Sequence, residues 1–192
     1  MFNDTSSPLS LLATRRSGKP RDLVAPGPDA DQLAQILAIA ARTPDHGKLA
    51  PWRFVVVPRA KRADFARLLA AAFHGDAPVE DPRKLEAVER TAHQAPTLIV
   101  VLSAPIAGHK IPVWEQELSA GAACMNLLHA VHALGFAGGW LTGWPSYSDT
   151  VRDAFGEGHE RIAGFLFVGT PSRPLDERPR PDMERVVSRW RP

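Results

Sequence analysis

The chain has 192 residues, 44% of them hydrophobic and 23% charged, a balance that suits one domain with a real core and excludes disorder throughout. Lys and Arg number 23 against 21 Asp and Glu, a formal charge of +2; the basic residues are dispersed, which removes the electrostatic reason to expect nucleic-acid or membrane binding. Cys124 is the only cysteine, so neither an intrachain disulfide nor a CxxC metal clamp is available, and a reducing compartment is expected. The apolar stretch from Leu9 to Ala13 is too short for a signal-peptide core, and no later run is long enough to span a bilayer. A cytoplasmic protein is the expectation.

In chain order, a short apolar helix around Leu9, Leu11 and Leu12 leads into Arg15-Arg16-Ser17. The first firm element is a helix over Asp29 to Arg42, with Leu33, Ile36, Leu37 and Ala40 on one face and Asp29 with Gln32 as a capping box; Thr43-Pro44 ends it. Arg53 to Val57 predicts a buried strand, Ala60 to Phe73 a helix, Pro82 to His93 a charged helix, and Thr97 to Leu102 a second buried strand. The longest helix starts near Pro112 and stops at Gly135, with small residues from Ser119 to Ala123 that favour a central or interfacial position. Strands over Phe136 to Thr142 and Gly164 to Gly169 follow, with a short helix between them near Asp149 to Phe155. The pattern is one layered α+β or α/β domain spanning residues 1–192. Its last stretch, 171–192, is a proline- and charge-rich tail with little core of its own, which leans on another subunit or frays.

Four segments hold the residue types that chemistry uses. Arg15-Arg16-Ser17 is either a solvated helix end or an anion site, because paired guanidiniums match phosphate oxygens and a serine hydroxyl adds a donor. The segment from Arg42 to Trp52, between a helix and a strand, is either a stiff connection with Trp52 plugging the core or a ligand loop using Arg42 and His46. Glu115 and Glu117 open the long helix, where they suit its dipole; a spacing of two puts them on different faces, against glycosidase-like chemistry. Trp114 beside them is core or ligand cover. The segment Gly135 to Trp144 has four glycines and two tryptophans, so backbone amides can approach a flat or anionic ligand. It follows a helix and leads into a strand, the reverse of a dinucleotide fingerprint, and no Walker loop or GxSxG elbow is present. His129 and His132 lie one helical turn apart, but no HExxH and no third ligand accompany them, so no metal is expected.

Taken together, Arg15-Arg16-Ser17, Arg42 to His46, Pro51-Trp52, Ala95-Pro96, Lys110 to Gly121, Gly135 to Trp140 and Gly164 to Pro171 resemble, in order, the nitroreductase family and its small YdjA-like branch. The resemblance implies an α+β nitroreductase-like fold with a central mixed sheet flanked by helices, an obligate homodimer, and one FMN in each of two interfacial sites. It implies that Arg15, Arg16 and Ser17 hold the phosphate, ribityl chain and flavin edge, that Arg42 and His46 reach FMN from the second subunit, and that Trp140, Leu141 and Thr142 line the same cofactor. The stretch Ala130, Val131, His132, Ala133, Leu134 and Gly135 matches a part implicated in nicotinamide binding. Leu141 stands where relatives of this branch can carry a basic residue. The implied reaction is a ping-pong transfer from NADH or NADPH through the flavin to a nitroaromatic, quinone or similar acceptor, with no catalytic side chain and Arg16 as a stabiliser of the reduced flavin. Dehalogenation or flavin fragmentation on the same fold, a non-catalytic flavin binder, and a metal-dependent hydrolase built on His129 and His132 are the alternatives.

Overall fold

The computed structural model describes residues 3–76 and 82–191. The first helix, α1 (Pro8–Thr14), is capped by the Ser7 side chain, which accepts from the Ser10 N–H. An extended stretch and a single turn at Pro20–Asp22 lead to the two-residue strand β1 (Leu23–Val24), too short for any periodicity to reveal. The capping box at the start of α2 (Ala30–Ala40) is present in both directions: the Asp29 carboxylate accepts from the Gln32 N–H at 2.8 Å, and the Gln32 side chain accepts from the Asp29 N–H at 3.0 Å. There follow β2 (Trp52–Val56), α3 (Arg62–Asp76), α4 (Pro82–His93), β3 (Thr97–Ser103), α5 (Val113–Ala133), β4 (Ala137–Leu141), α6 (Asp149–Asp153), β5 (Arg161–Pro171) and α7 (Met183–Val186).

The strands form one sheet in which β5 lies between β3 and β4, β2 flanks β3, and β1 pairs the far end of β5. Every ladder among the described residues is antiparallel, so the sheet is antiparallel rather than mixed. The reason lies in one connection. Helix α5 carries the chain across β5 from β3 to β4, so these two strands run the same way without touching, and β5 runs against both. Strand β3 is buried on both faces, as its unbroken apolar run requires. Strand β2 has the same kind of sequence but, among the described residues, pairs only β3; as an edge strand it leaves Phe54, Val55 and Val56 only partly covered and Arg53 exposed.

Alternation along the strands splits the core into two layers. Leu98, Val100, Leu102, Phe165 and Phe167 pack under α3 with Phe65 and Leu69. Ile99, Val101, Leu166 and Val168 face α2 and α5, meeting Ile36, Leu127 and Val131. Each such fully buried aliphatic contributes about 1.5–3 kcal/mol relative to exposure. Helix α5 ends in a Schellman motif: Gly135 has φ +84°, its N–H donates to the His132 carbonyl at 3.0 Å, and the Phe136 N–H donates to the Val131 carbonyl at 3.1 Å. The chain therefore turns sharply from α5 into β4, which sets where the glycine-rich segment lies.

The last turn of α5 also buries His132 completely. Burial, reinforced by the charges of Arg15 and His129, lowers its imidazole from an ordinary 6.5 to about 4, so the ring is neutral in the fold. The unfolded chain takes up this proton at higher pH than the folded one. The contribution to stability is thus intact above pH 6.5 and is lost as the pH falls from there toward 4. Acidification from pH 7.5 to 5 should cost about 2 kcal/mol through this residue, read from urea unfolding, and His132→Leu should flatten that slope; an unchanged slope in the variant contradicts the assignment.

Candidate functional site

The residues after α1 return across the sheet onto β4. The Gly18 N–H donates to the Gly138 carbonyl at 2.9 Å, and a Cβ on Gly139 would stand 2.3 Å from the Gly18 carbonyl oxygen. Backbone thus lies directly on backbone, a contact that only glycine at 139 permits. This places Ser17 and Gly18 against the strand that carries Trp140 and Leu141, so two of the predicted segments meet. Trp140 is partly exposed, and its ring lies over Gly164, where a Cβ would come within 2.1 Å of Nε1. The indole donates to the Ala163 carbonyl at 2.9 Å. Ala163 is the extra residue of an irregularity in the β3–β5 register, so its carbonyl is free of the ladder and available to fix the ring. Leu141 and Thr142 line an apolar cavity of about 300 Å³ with Phe73, Trp144 and Phe165.

The two adjacent arginines are in different circumstances. Arg16 is held by the C-terminal tail: its Nε donates to Glu177 at 2.7 Å and its Nη1 to the Leu175 carbonyl at 3.0 Å. Lys19 pairs Asp176 at 3.2 Å. Arg15, by contrast, has no side-chain hydrogen bond or ion pair to a described residue. Burial and then the neighbouring Arg180 charge weaken its hold on its proton, with Glu177 opposing them. A desolvated guanidinium beside a second guanidinium is an arrangement that an anion relieves. His129 is shifted down by burial and then by the Arg15 charge.

Of the stretch Ala130 to Gly135, the side chains of Ala130, Val131 and His132 are buried in the core, so Ala133, Leu134 and Gly135 are the part that reaches the surface. The loop that carries Arg42 and His46 is anchored along α5. Thr43, next to Arg42, accepts from Asn126 Nδ2 at 2.8 Å, and His46 Nδ1 lies 2.7 Å from Glu115; the two anchoring positions are about 16 Å apart along the helix. No hydrogen bond or ion pair among the described residues joins the 42–46 loop to Arg15, Arg16, Ser17 or the 140–142 segment. Trp52 is buried against Ala120 and Ala123, and Trp114 is exposed. The sequence reading passed over Lys19, Asp176, Glu177 and Arg180. Their signal was the charge density of the tail, which could not be placed without knowing that the tail folds back. Among the described residues, no group of three or more His, Cys, Asp or Glu is placed to hold a metal ion.

Gly139→Ala should force the Ser17–Gly18 segment off β4 and cost about 1–3 kcal/mol, the usual range for overpacking. Urea unfolding measures this, and an unchanged midpoint would show that the backbone contact is dispensable.

Comparison with known proteins identifies the family and the fold. The nitroreductase family model matches residues 12–170. The chain is 38% identical over 164 residues to "Putative NAD(P)H nitroreductase YdjA" of Escherichia coli, covering 85% of this chain and 87% of that one. Among solved structures, the nitroreductase-like family protein from Bacillus cereus superposes with a TM-score of 0.84 at 18% identity, over 96% of both chains. A "putative nitroreductase" from Desulfovibrio desulfuricans, in complex with FMN, superposes with a TM-score of 0.72 at 20% identity, over 97% of this chain and 99% of that one. The chain belongs to the nitroreductase family.

Proposed function

We propose that the protein is an FMN-dependent NAD(P)H oxidoreductase of the nitroreductase type, working as a homodimer with FMN at the interface. One observation carries the reading: Arg15 is a partly buried cation with no hydrogen bond or ion pair to a described residue, within reach of the Arg180 charge and three residues before Gly18, which lies on the glycine-rich strand. That arrangement fits a phosphate. The relatives support it, one named as an NAD(P)H nitroreductase and another solved with FMN.

In this reading Arg15 and Ser17 hold the phosphate end. Trp140, Leu141 and Thr142 line the flavin, with Trp140 pre-set by its bond to Ala163 so that no rotamer freedom is lost on binding. Arg16 keeps its Nη2 for the N1 and C2 carbonyl end of the reduced flavin, its other donors being held by the tail. Arg42 and His46 approach from the second subunit, in keeping with the lack of any hydrogen bond or ion pair among the described residues between them and the other site residues. Ala133, Leu134 and Gly135 are the surface that the nicotinamide can reach. FMN, when bound, supplies the redox chemistry of a ping-pong cycle between NADH or NADPH and a nitroaromatic, quinone or similar acceptor.

Leu9 and Leu12 on α1, Trp114 and Leu118 on α5, and Met183, Val186, Val187 and Trp190 in the tail are exposed in the single chain. Large apolar side chains exposed on three elements are surface that association can cover, and we read the partner as a second copy. We read residues 1–192 as one domain, with the end of the tail reaching the partner. No described helix is long and apolar enough to cross a membrane. With Cys124 the single cysteine, the chain has no internal disulfide that needs an oxidising compartment, and we read its setting as cytoplasmic.

Purified protein should show flavin bands in the visible and bleach reversibly when NADPH is added without oxygen. Arg15→Ala should lower FMN affinity by about tenfold or more, the loss of one charge-assisted contact, measured by quenching of flavin fluorescence. A colourless protein that cannot be reconstituted, or an Arg15→Ala variant with undiminished affinity, contradicts the assignment.

A further inference from the structure

The tail is tied to the N-terminal arginines by a single side chain. Glu177 uses both carboxylate oxygens: one accepts from Arg16 Nε at 2.7 Å, and the other takes the Arg180 guanidinium. These contacts, the Arg16 hydrogen bond first, hold the Glu177 carboxyl below its ordinary range. Arg16 adds a second contact to the same strip of chain through the Leu175 carbonyl at 3.0 Å. Lys19 and Asp176 close the arrangement at 3.2 Å, and Arg173 is anchored to Asp22 at 2.8 Å. The result is a tail running from Arg173 to Arg180 docked along the Ser17–Asp22 stretch.

The consequence falls on Arg15. Arg180 is close enough for its positive charge to oppose the protonation of Arg15, while the Glu177 charge acts the other way. One carboxylate that accepts from two guanidiniums balances the charge of only one, so the Arg16–Glu177–Arg180 group next to Arg15 in sequence keeps a net positive charge. Turning Arg16 toward the tail also removes it as a competitor for whatever Arg15 binds. We propose that Glu177 is a positioning residue of the cofactor site: by bridging Arg16 and Arg180 it holds the tail in place and sets the cationic surroundings of Arg15, so that docking of the tail and binding of the FMN phosphate reinforce each other. The proposal rests on the FMN reading above.

The coupling is thermodynamic and therefore reciprocal. Glu177 should strengthen FMN binding, and FMN should in turn protect the tail. The test compares FMN with riboflavin, which shares the ring and ribityl chain but lacks the phosphate. Glu177→Gln keeps the size and one acceptor but removes the charge; it should weaken FMN by about tenfold, the scale of one charge-assisted contact, and weaken riboflavin by clearly less. Glu177→Asp should recover part of the loss. Trypsin cleavage after Arg185 and Arg189 should slow when FMN is added to the wild-type chain, with riboflavin having no such effect and with the slowing reduced in Glu177→Gln.

Four outcomes overturn the proposal. Unchanged FMN affinity in Glu177→Gln removes the coupling. An equal loss of FMN and riboflavin makes Glu177 a general structural residue. Tighter FMN binding in the variant means that the carboxylate competes with phosphate instead of arranging its site. A wild-type chain that binds neither flavin overturns the underlying FMN reading as well, which distinguishes that failure from the other three.

Discussion

The site depends on one backbone contact. The Gly18 N–H meets the Gly138 carbonyl, and the absence of a side chain at Gly139 lets the Gly18 carbonyl lie against the strand. Everything else is positioned from there. The arginine pair comes just before this contact, Trp140 and Leu141 come just after it on β4, and the tail docks on the stretch that follows Gly18. A segment without regular structure is thereby fixed to the most buried part of the sheet, since β4 pairs β5 and β5 pairs β3. Loops that bind ligands need such an anchor, because a mobile arginine loses much of its contact energy to ordering.

Rigidity continues into Trp140. An exposed indole would normally sample several rotamers, yet here its N–H is fixed by the Ala163 carbonyl, and Gly164 makes room for the ring. Glycine at 164 and the register irregularity at Ala163 serve the same end. Strand β5, which looks from its sequence like plain core, therefore also shapes the surface on which a flat ligand can rest.

Much of the architecture was legible because local rules and burial agree. The capping box at Asp29 and Gln32, the Gly135 stop and the unbroken apolar run of β3 each follow from short-range physics and recur in the structure. The limits of α5, which runs Val113–Ala133, follow from Pro112 and Gly135. What was not legible depends on pairing between distant segments. Strand β1 has two residues and exists only because the end of β5 passes beside it. Strand β2 has a core-like sequence yet lies at an edge, and the antiparallel pairing of every ladder follows from the crossover, which no window of sequence reports. At the site, the residue types in the Arg15–Ser17 and Trp140–Thr142 segments were visible, and the structure brings those segments together. The division of labour within the arginine pair was not visible, because it depends on Glu177, 161 residues from Arg16 along the chain.

The central claim is that two copies of this chain enclose two FMN molecules, each site drawing residues from both. Native mass spectrometry of the purified protein tests it in one measurement. The account predicts a species of two chains carrying two FMN, and on gentle activation the loss of flavin together with separation of the chains. A single chain that retains one FMN, or a stable dimer with no capacity for FMN, would contradict it.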